Sequence, residues 1–154
     1  IGISIYDEKD IAIALDVISP DIIQIPINVF DQRLWKNELL NEIKKNNCEI
    51  HARSIFLQGL ILLRSQELNK FFEPIATKID NWQDFCDQEN VSSITAALNF
   101  IKNIDQIDVA IVGINSYQQF EQNISSYKKD FNFDPSPFAI DKERFVDPRK
   151  WVFS

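Results

Sequence analysis

The stretch IDVAIVGINSYQQFEQNI, residues 107–124, reads as a strand, a tight turn and a helix. Val109, Ala110, Ile111 and Val112 form an apolar run too short for a helix and without polar alternation, the pattern of a parallel strand buried on both faces. Gly113 ends the run, and Asn115 or Ser116 then supplies the cap of a new helix. The first-turn amides of such a helix lie at the carboxyl end of the strand, where an anion such as a nucleotide phosphate is readily held. Strand, glycine and capped helix recur in α/β proteins of many functions, so this stretch takes its meaning from three similar units upstream.

The first unit pairs a β-branched run, residues 1–6, with a helix capped by Asp7, whose Ile11, Ala14, Leu15 and Ile18 share one face and which Pro20 stops. The second begins with IIQIPI, residues 22–27, a strand apolar except for Gln24. Asp31 is the expected cap of a helix reaching about residue 47, with Leu34, Leu39, Leu40 and Ile43 inward and Lys36, Asn37, Lys44 and Lys45 outward. The third strand is EIHARS, residues 49–54, which places His51 and Arg53 on one face. A longer connection follows: one or two helices over residues 65–88, broken or started near Pro74, then another starting at Asn90 or Ser92 with Ile94, Ala97, Leu98 and Ile101 on its inner face. From 131 to 154 the periodicity is lost. Pro135, Pro137 and Pro148 break the chain, and Phe131, Phe133, Phe138, Phe145, Trp151 and Phe153 predict a tail packed on the body rather than loose in water.

At 154 residues and 45% hydrophobic content the chain builds one body with a sizeable core. A formal charge of -7, from 16 basic and 23 acidic residues without a basic stripe, argues against nucleic acid or an anionic membrane surface as partner. No apolar run reaches the roughly 20 residues that span a bilayer, which predicts a soluble protein. Cys48 and Cys86 lack metal-ligand spacing and are expected to be buried thiols in a cytoplasmic protein. The chain contains no methionine and opens inside a predicted strand, so a piece of a longer protein is expected.

Four β/α units in succession predict a parallel sheet with right-handed crossovers. An open doubly wound sheet fits poorly, because the chain holds only Gly2, Gly59 and Gly113 and no glycine-rich first turn. Half of an eight-stranded (β/α)8 barrel of the TIM type fits better: residues 1–130 as the half-barrel and 131–154 as the tail, with both outer strands lacking neighbours.

Gly2-Ile3-Ser4 in the first strand, Gln24 in the second, Ala52-Arg53-Ser54 followed by Gly59 in the third, and Gly113 with Gln119 and Asn123 after the fourth resemble the carboxyl-terminal half of the aldo-keto reductases. The closing Asp147-Pro148-Arg149-Lys150-Trp151 is similar to the end of some bacterial members. The resemblance implies a barrel that reduces small carbonyl compounds with NADP or NAD. It places Ser4 and Gln24 at the nicotinamide carboxamide, Ser54, Phe56, Leu57 and Gln58 over the pyrophosphate, and Gln119, Gln122 and Asn123 toward the adenosine end, with Gly113 also in the cofactor site. Arg53 takes the place of the aromatic ring that stacks on nicotinamide, and Ile5 stands where the family usually has Asn. Residues 113–119 carry no Lys or Arg for a 2′-phosphate, so the choice between NADP and NAD stays open.

The family's Asp, Tyr, Lys and His belong to the first half of the barrel, so no catalytic residue is assigned here, nor any metal ligand. His51 is expected to be a hydrogen-bonded interior histidine. The functional expectation is an NAD(P)-dependent reductase of which this chain is the cofactor-side half, inactive alone and completed by a missing amino-terminal half. The alternatives are a reductase-like binding or regulatory module, favoured by Ile5 and Arg53, and a half-barrel pairing with a second copy.

Overall fold

The computed structural model describes residues 1–36 and 38–153, so the outward placement of Asn37 and the last tail residue, Ser154, lie outside the described residues. Four parallel strands stand in chain order: β1 Gly2–Ser4, β2 Ile22–Pro26, β3 Glu49–Arg53 and β4 Val109–Ala110. Their register sets Ser4 beside Gln24, Gln24 beside His51, and His51 beside Val109. Helices α1 Glu8–Val17, α2 Leu39–Lys45, α3 Ala76–Gln88, α4 Ser93–Lys102 and α5 Tyr117–Tyr127 connect and follow the strands, and the short α6 Glu143–Val146 lies in the tail.

One face of the sheet is the core. Ile23, Ile25, Ile50 and Ala52 are fully buried beneath the helices. The opposite face carries Ser4, Gln24, His51 and Arg53, which stay exposed or half-buried. This asymmetry is that of a barrel wall whose concave side is open.

The outer strands differ from their sequence reading. β1 covers three residues rather than six, with Gly2 and Ser4 exposed. β4 covers two rather than four, and Val109 and Ile111 are more than a third exposed instead of buried on both faces. Both are edges of the sheet, hydrogen-bonded on one side only, so an apolar run that would be covered in a closed sheet meets solvent here.

Asp7 caps α1 by accepting the Asp10 amide at 3.1 Å, Ser92 caps α4 and Ser116 caps α5. Ile18, expected on the inner face of α1, lies beyond its last residue and is exposed. Asp31 does not cap a helix. Its buried carboxylate receives Arg33 through Nε at 2.8 Å and a terminal nitrogen at 2.9 Å, while Asn28 Oδ1 takes the amides of Phe30 and Asp31. This local turn delays the helix to Leu39, although Leu34, Leu39, Leu40 and Ile43 are all buried as their spacing implies. After β3 come short 3-10 turns, the last of which, Lys70–Ile75, contains Pro74, and α3 follows at Ala76.

The tail crosses the body and is held at several points. Pro135 O accepts Gln32 Nε2 at 2.7 Å, and the Ile140 amide donates to Phe30 O at 2.9 Å. Phe138 lies edge-on to Trp82 at 5.1 Å, and Trp151 edge-on to Phe72 at 4.9 Å. Asp147, buried, accepts the Arg149 amide and grips its guanidinium, a pairing that draws its carboxyl below the usual carboxylate range. Cys48 and Cys86 are free and buried, and burial pushes the Cys86 thiol up to about 12.

Candidate functional site

At the carboxyl ends of the strands runs a cleft of about 720 Å³, within the range of ligand sites. Gln24 from β2 and Arg53 from β3 form one end. Ser54, Phe56, Leu57, Gln58 and Gly59 form one wall, and Gly113, Gln119, Gln122 and Asn123 the other. Ten of the eleven residues selected from the sequence therefore share one cavity. Ser4 is the exception: it is outside the cleft lining, and its hydroxyl receives Arg53 Nε at 3.1 Å and lies 3.4 Å from Gln24 Oε1.

The wall after β3 is folded against backbone preference. Ser54, Leu57 and Gln58 have φ of 59°, 45° and 54°, and Gly59 has 87°. Left-handed backbone costs a non-glycine residue about 1–2 kcal/mol, so the surroundings must hold it. They do so at both ends: Asn28 Nδ2 donates to Ser54 O at 3.1 Å, and Trp82 Nε1 and Gln83 Nε2 both donate to Ile61 O. Leu57 is buried to anchor the loop while Gln58 remains exposed on the cleft.

Across the cleft, Ser116 Oγ accepts the Gln119 amide at 3.1 Å and Gln119 Oε1 accepts the Asn115 amide at 2.8 Å. This reciprocal pair is close to a capping box. It commits the Gln119 carbonyl oxygen locally and leaves Gln122 and Asn123 as the less restrained polar groups of that wall. A Cβ built on Gly113 meets nothing within 4 Å, so the glycine keeps open space beside the cleft rather than relieving a clash.

Arg53 is the only charged side chain among the described residues lining the cavity. It donates to Ser4 Oγ, to Ser54 Oγ at 3.2 Å and to Ile5 O at 3.0 Å, and lies 4.1 Å from the Tyr6 ring centroid. Arg149 from the tail lies against the same ring at 3.4 Å. Neither Tyr6 nor Arg149 was selected from the sequence, since 143 positions separate them and no spacing links a ring to a distant guanidinium. The cleft also takes Leu62, Ile94, Ile111, Val112 and Asn115, of which Ile94 was identified only as a helix-core position. His51 is on the open face with Nε2 3.2 Å from Glu49 Oε2, outside the cleft lining. Among the described residues no group of His, Cys, Asp or Glu is arranged to hold a metal.

The site suits an elongated, polar and anionic ligand. It is long enough to join Gln24 to Asn123, it is lined without carboxylates in a chain of net charge -7, and it combines amides with an apolar floor. Residues 113–119 of the wall carry no Lys or Arg.

The solved structures most usefully compared are a glycerol dehydrogenase of Gluconobacter oxydans and an aldo-keto reductase of Bacillus halodurans in its holo form. The first matches with a TM-score of 0.62 at 20% identity over 95% of this chain and 47% of its own. The second matches with a TM-score of 0.65 at 13% identity over 99% of this chain and 51% of its own. The chain thus spans about half the length of the structures it matches, and it carries four parallel strands and helices of a β/α barrel. No curated protein matches it in sequence. The aldo/keto reductase family model matches residues 1–140, and with the fold, the chain belongs to the aldo/keto reductase family.

Proposed function

We propose that this chain is the cofactor-side half of an NAD(P)-dependent reductase that converts a carbonyl group to an alcohol. In this reading residues 1–130 form the half-barrel, residues 131–154 a tail closing over it, and a further half-barrel completes the wall. The observation that carries the reading is the convergence of Gln24, Arg53, residues 54–59, Gly113, Gln119, Gln122 and Asn123 on one cleft at the carboxyl ends of the strands. A bound dinucleotide supplies a hydride. The chain's own residues bind and orient it: Gln24 meets the carboxamide, residues 54–58 cover the pyrophosphate, and Gln119, Gln122 and Asn123 hold the adenosine end. NAD fits without further help, whereas NADP would need a cation from outside residues 113–119. The two buried free thiols fit a reducing compartment, and we place the protein in the cytoplasm.

Gln24 provides the test. It is half-buried, and the only hydrogen-bond partner of its side chain among the described residues is Ser4. Gln24→Leu is expected to weaken dinucleotide binding by the intact protein about tenfold, the loss of one net hydrogen bond, with unfolding stability unchanged or raised. Calorimetric titration beside denaturant unfolding measures both. Lost stability with unchanged affinity would assign Gln24 to the fold alone.

A second reading, a binding module without hydride chemistry, draws on Arg53. Where the family stacks a ring on nicotinamide, this guanidinium is tied to β1 and to Tyr6. Dinucleotide-dependent carbonyl turnover by the intact protein excludes this reading.

A further inference from the structure

We infer that Arg53 is a specificity-determining residue for an anionic substrate, a carbonyl compound whose carboxylate or phosphate is held at the Gln24 end of the cleft. The inference rests on the reductase reading and deepens it.

The arginines of this chain mostly meet carboxylates. Arg33 pairs with Asp31 and Glu143, Arg64 with Asp84 and Asp87, and Arg149 with Asp147. Arg144, without such a partner among the described residues, lies exposed over Phe71 and Phe145. Arg53 differs from all of them: it is half-buried in a cavity wall, and its partners Ser4 Oγ, Ser54 Oγ and Ile5 O are all neutral. No carboxylate among the described residues reaches it within ion-pair distance. Three of its N–H groups are committed and a guanidinium has five, so donors remain for a ligand in the cavity it lines.

Its surroundings do not neutralise it. Arg149 touches the same Tyr6 ring, so two guanidinium groups gather there against one bonded carboxylate, Asp147. The three hydrogen bonds and the ring hold the Arg53 head in place, which lowers the entropy lost on gripping an anion. With Gln24 beside it and Asn123 at the far end, this cation lies at the end where a dinucleotide laid along the cleft presents its reacting ring. A negative group arriving there belongs to the substrate. The competing source is the dinucleotide's own pyrophosphate under residues 54–58.

The test compares matched aldehydes on the intact protein: succinic semialdehyde against butanal, and glyceraldehyde 3-phosphate against glyceraldehyde, with NADH and NADPH. A preference in kcat/KM of about tenfold or more for the charged member of one pair is expected, and the pair concerned identifies carboxylate or phosphate. Arg53→Gln should reduce that preference to within about threefold through KM. Arg53→Lys, which keeps the charge and loses the fork, should retain part of the preference and serves alone if Arg53→Gln does not fold. No preference in either pair overturns the inference, as does an Arg53→Gln effect on dinucleotide Kd with both aldehydes altered alike, which would assign Arg53 to the pyrophosphate. If neither aldehyde pair is turned over, the reductase reading fails by itself, and calorimetry with succinate and inorganic phosphate decides the anion site. Heat that disappears in the Arg53 variant supports it, and no heat overturns it.

Discussion

Replacing Trp82 by alanine is expected to destabilise the protein by about 3–5 kcal/mol, a large share of the roughly 5–15 kcal/mol that holds a domain together. Trp82 is completely buried on α3. Its indole lies edge-on to Phe30 at 6.3 Å and Phe138 at 5.1 Å and stacks near Phe85 at 6.1 Å, while Nε1 donates to Ile61 O. One side chain thus joins the segment after β2, the loop roofing the cleft and the carboxyl-terminal tail. Alanine leaves a cavity and loses the edge contacts, although Gln83 still satisfies Ile61 O. Trp82→Phe keeps most of the volume and gives up the N–H, so about 1–2 kcal/mol is expected. Denaturant unfolding of both variants measures the difference. A loss below about 1 kcal/mol for Trp82→Ala would mean that the tail is not coupled to the core through this ring.

The second large effect concerns assembly. Expressed alone, the 154-residue chain is expected to self-associate, to aggregate, or to be recovered with a complementary half-barrel. The apolar exposure is concentrated at the two ends of the sheet. On the β1 side, α1 turns Ile13 and Val17 outward, Val17 being 70% exposed. On the β4 side, Val109 and Ile111 are joined by Tyr117, Phe120, Ile124 and Tyr127, a stripe at three- and four-residue spacing along α5 with Tyr117 74% exposed. A surface helix that simply faced water would carry polar residues at those positions. Sedimentation velocity over a range of concentrations tests this. A single monomeric species at every concentration would contradict the incomplete-barrel account.

Much of this organisation was legible in the chain. Short apolar runs separated by helical periodicity are local signals, and so are the caps, because each depends on a side chain three residues from the amide it accepts: Asp7 was legible outright, while Ser92 and Ser116 each shared the reading with a nearby asparagine. Asp31 misled because Asn28, three residues earlier, makes a competing turn that also satisfies nearby amides. The strand edges misled because an apolar run carries no mark of whether a neighbour exists. The cleft came from the family resemblance, and its residues are joined by loops whose positive φ at Ser54, Leu57 and Gln58 no residue type there announces. The contact of Arg149 and Arg53 on Tyr6 is a product of the tail's return path and could not be read at all.

The central claim, that the cleft holds a nicotinamide dinucleotide, is tested most directly by titrating the intact protein and its Gly113→Leu variant with NADH and NADPH. Because nothing lies within 4 Å of a Cβ at Gly113, the added side chain should enter the cleft without disturbing the fold. The prediction is saturable binding by the parent, weakened about tenfold or more in the variant at an unchanged unfolding midpoint. No saturable binding by the folded parent, or equal affinity in both proteins, would contradict it.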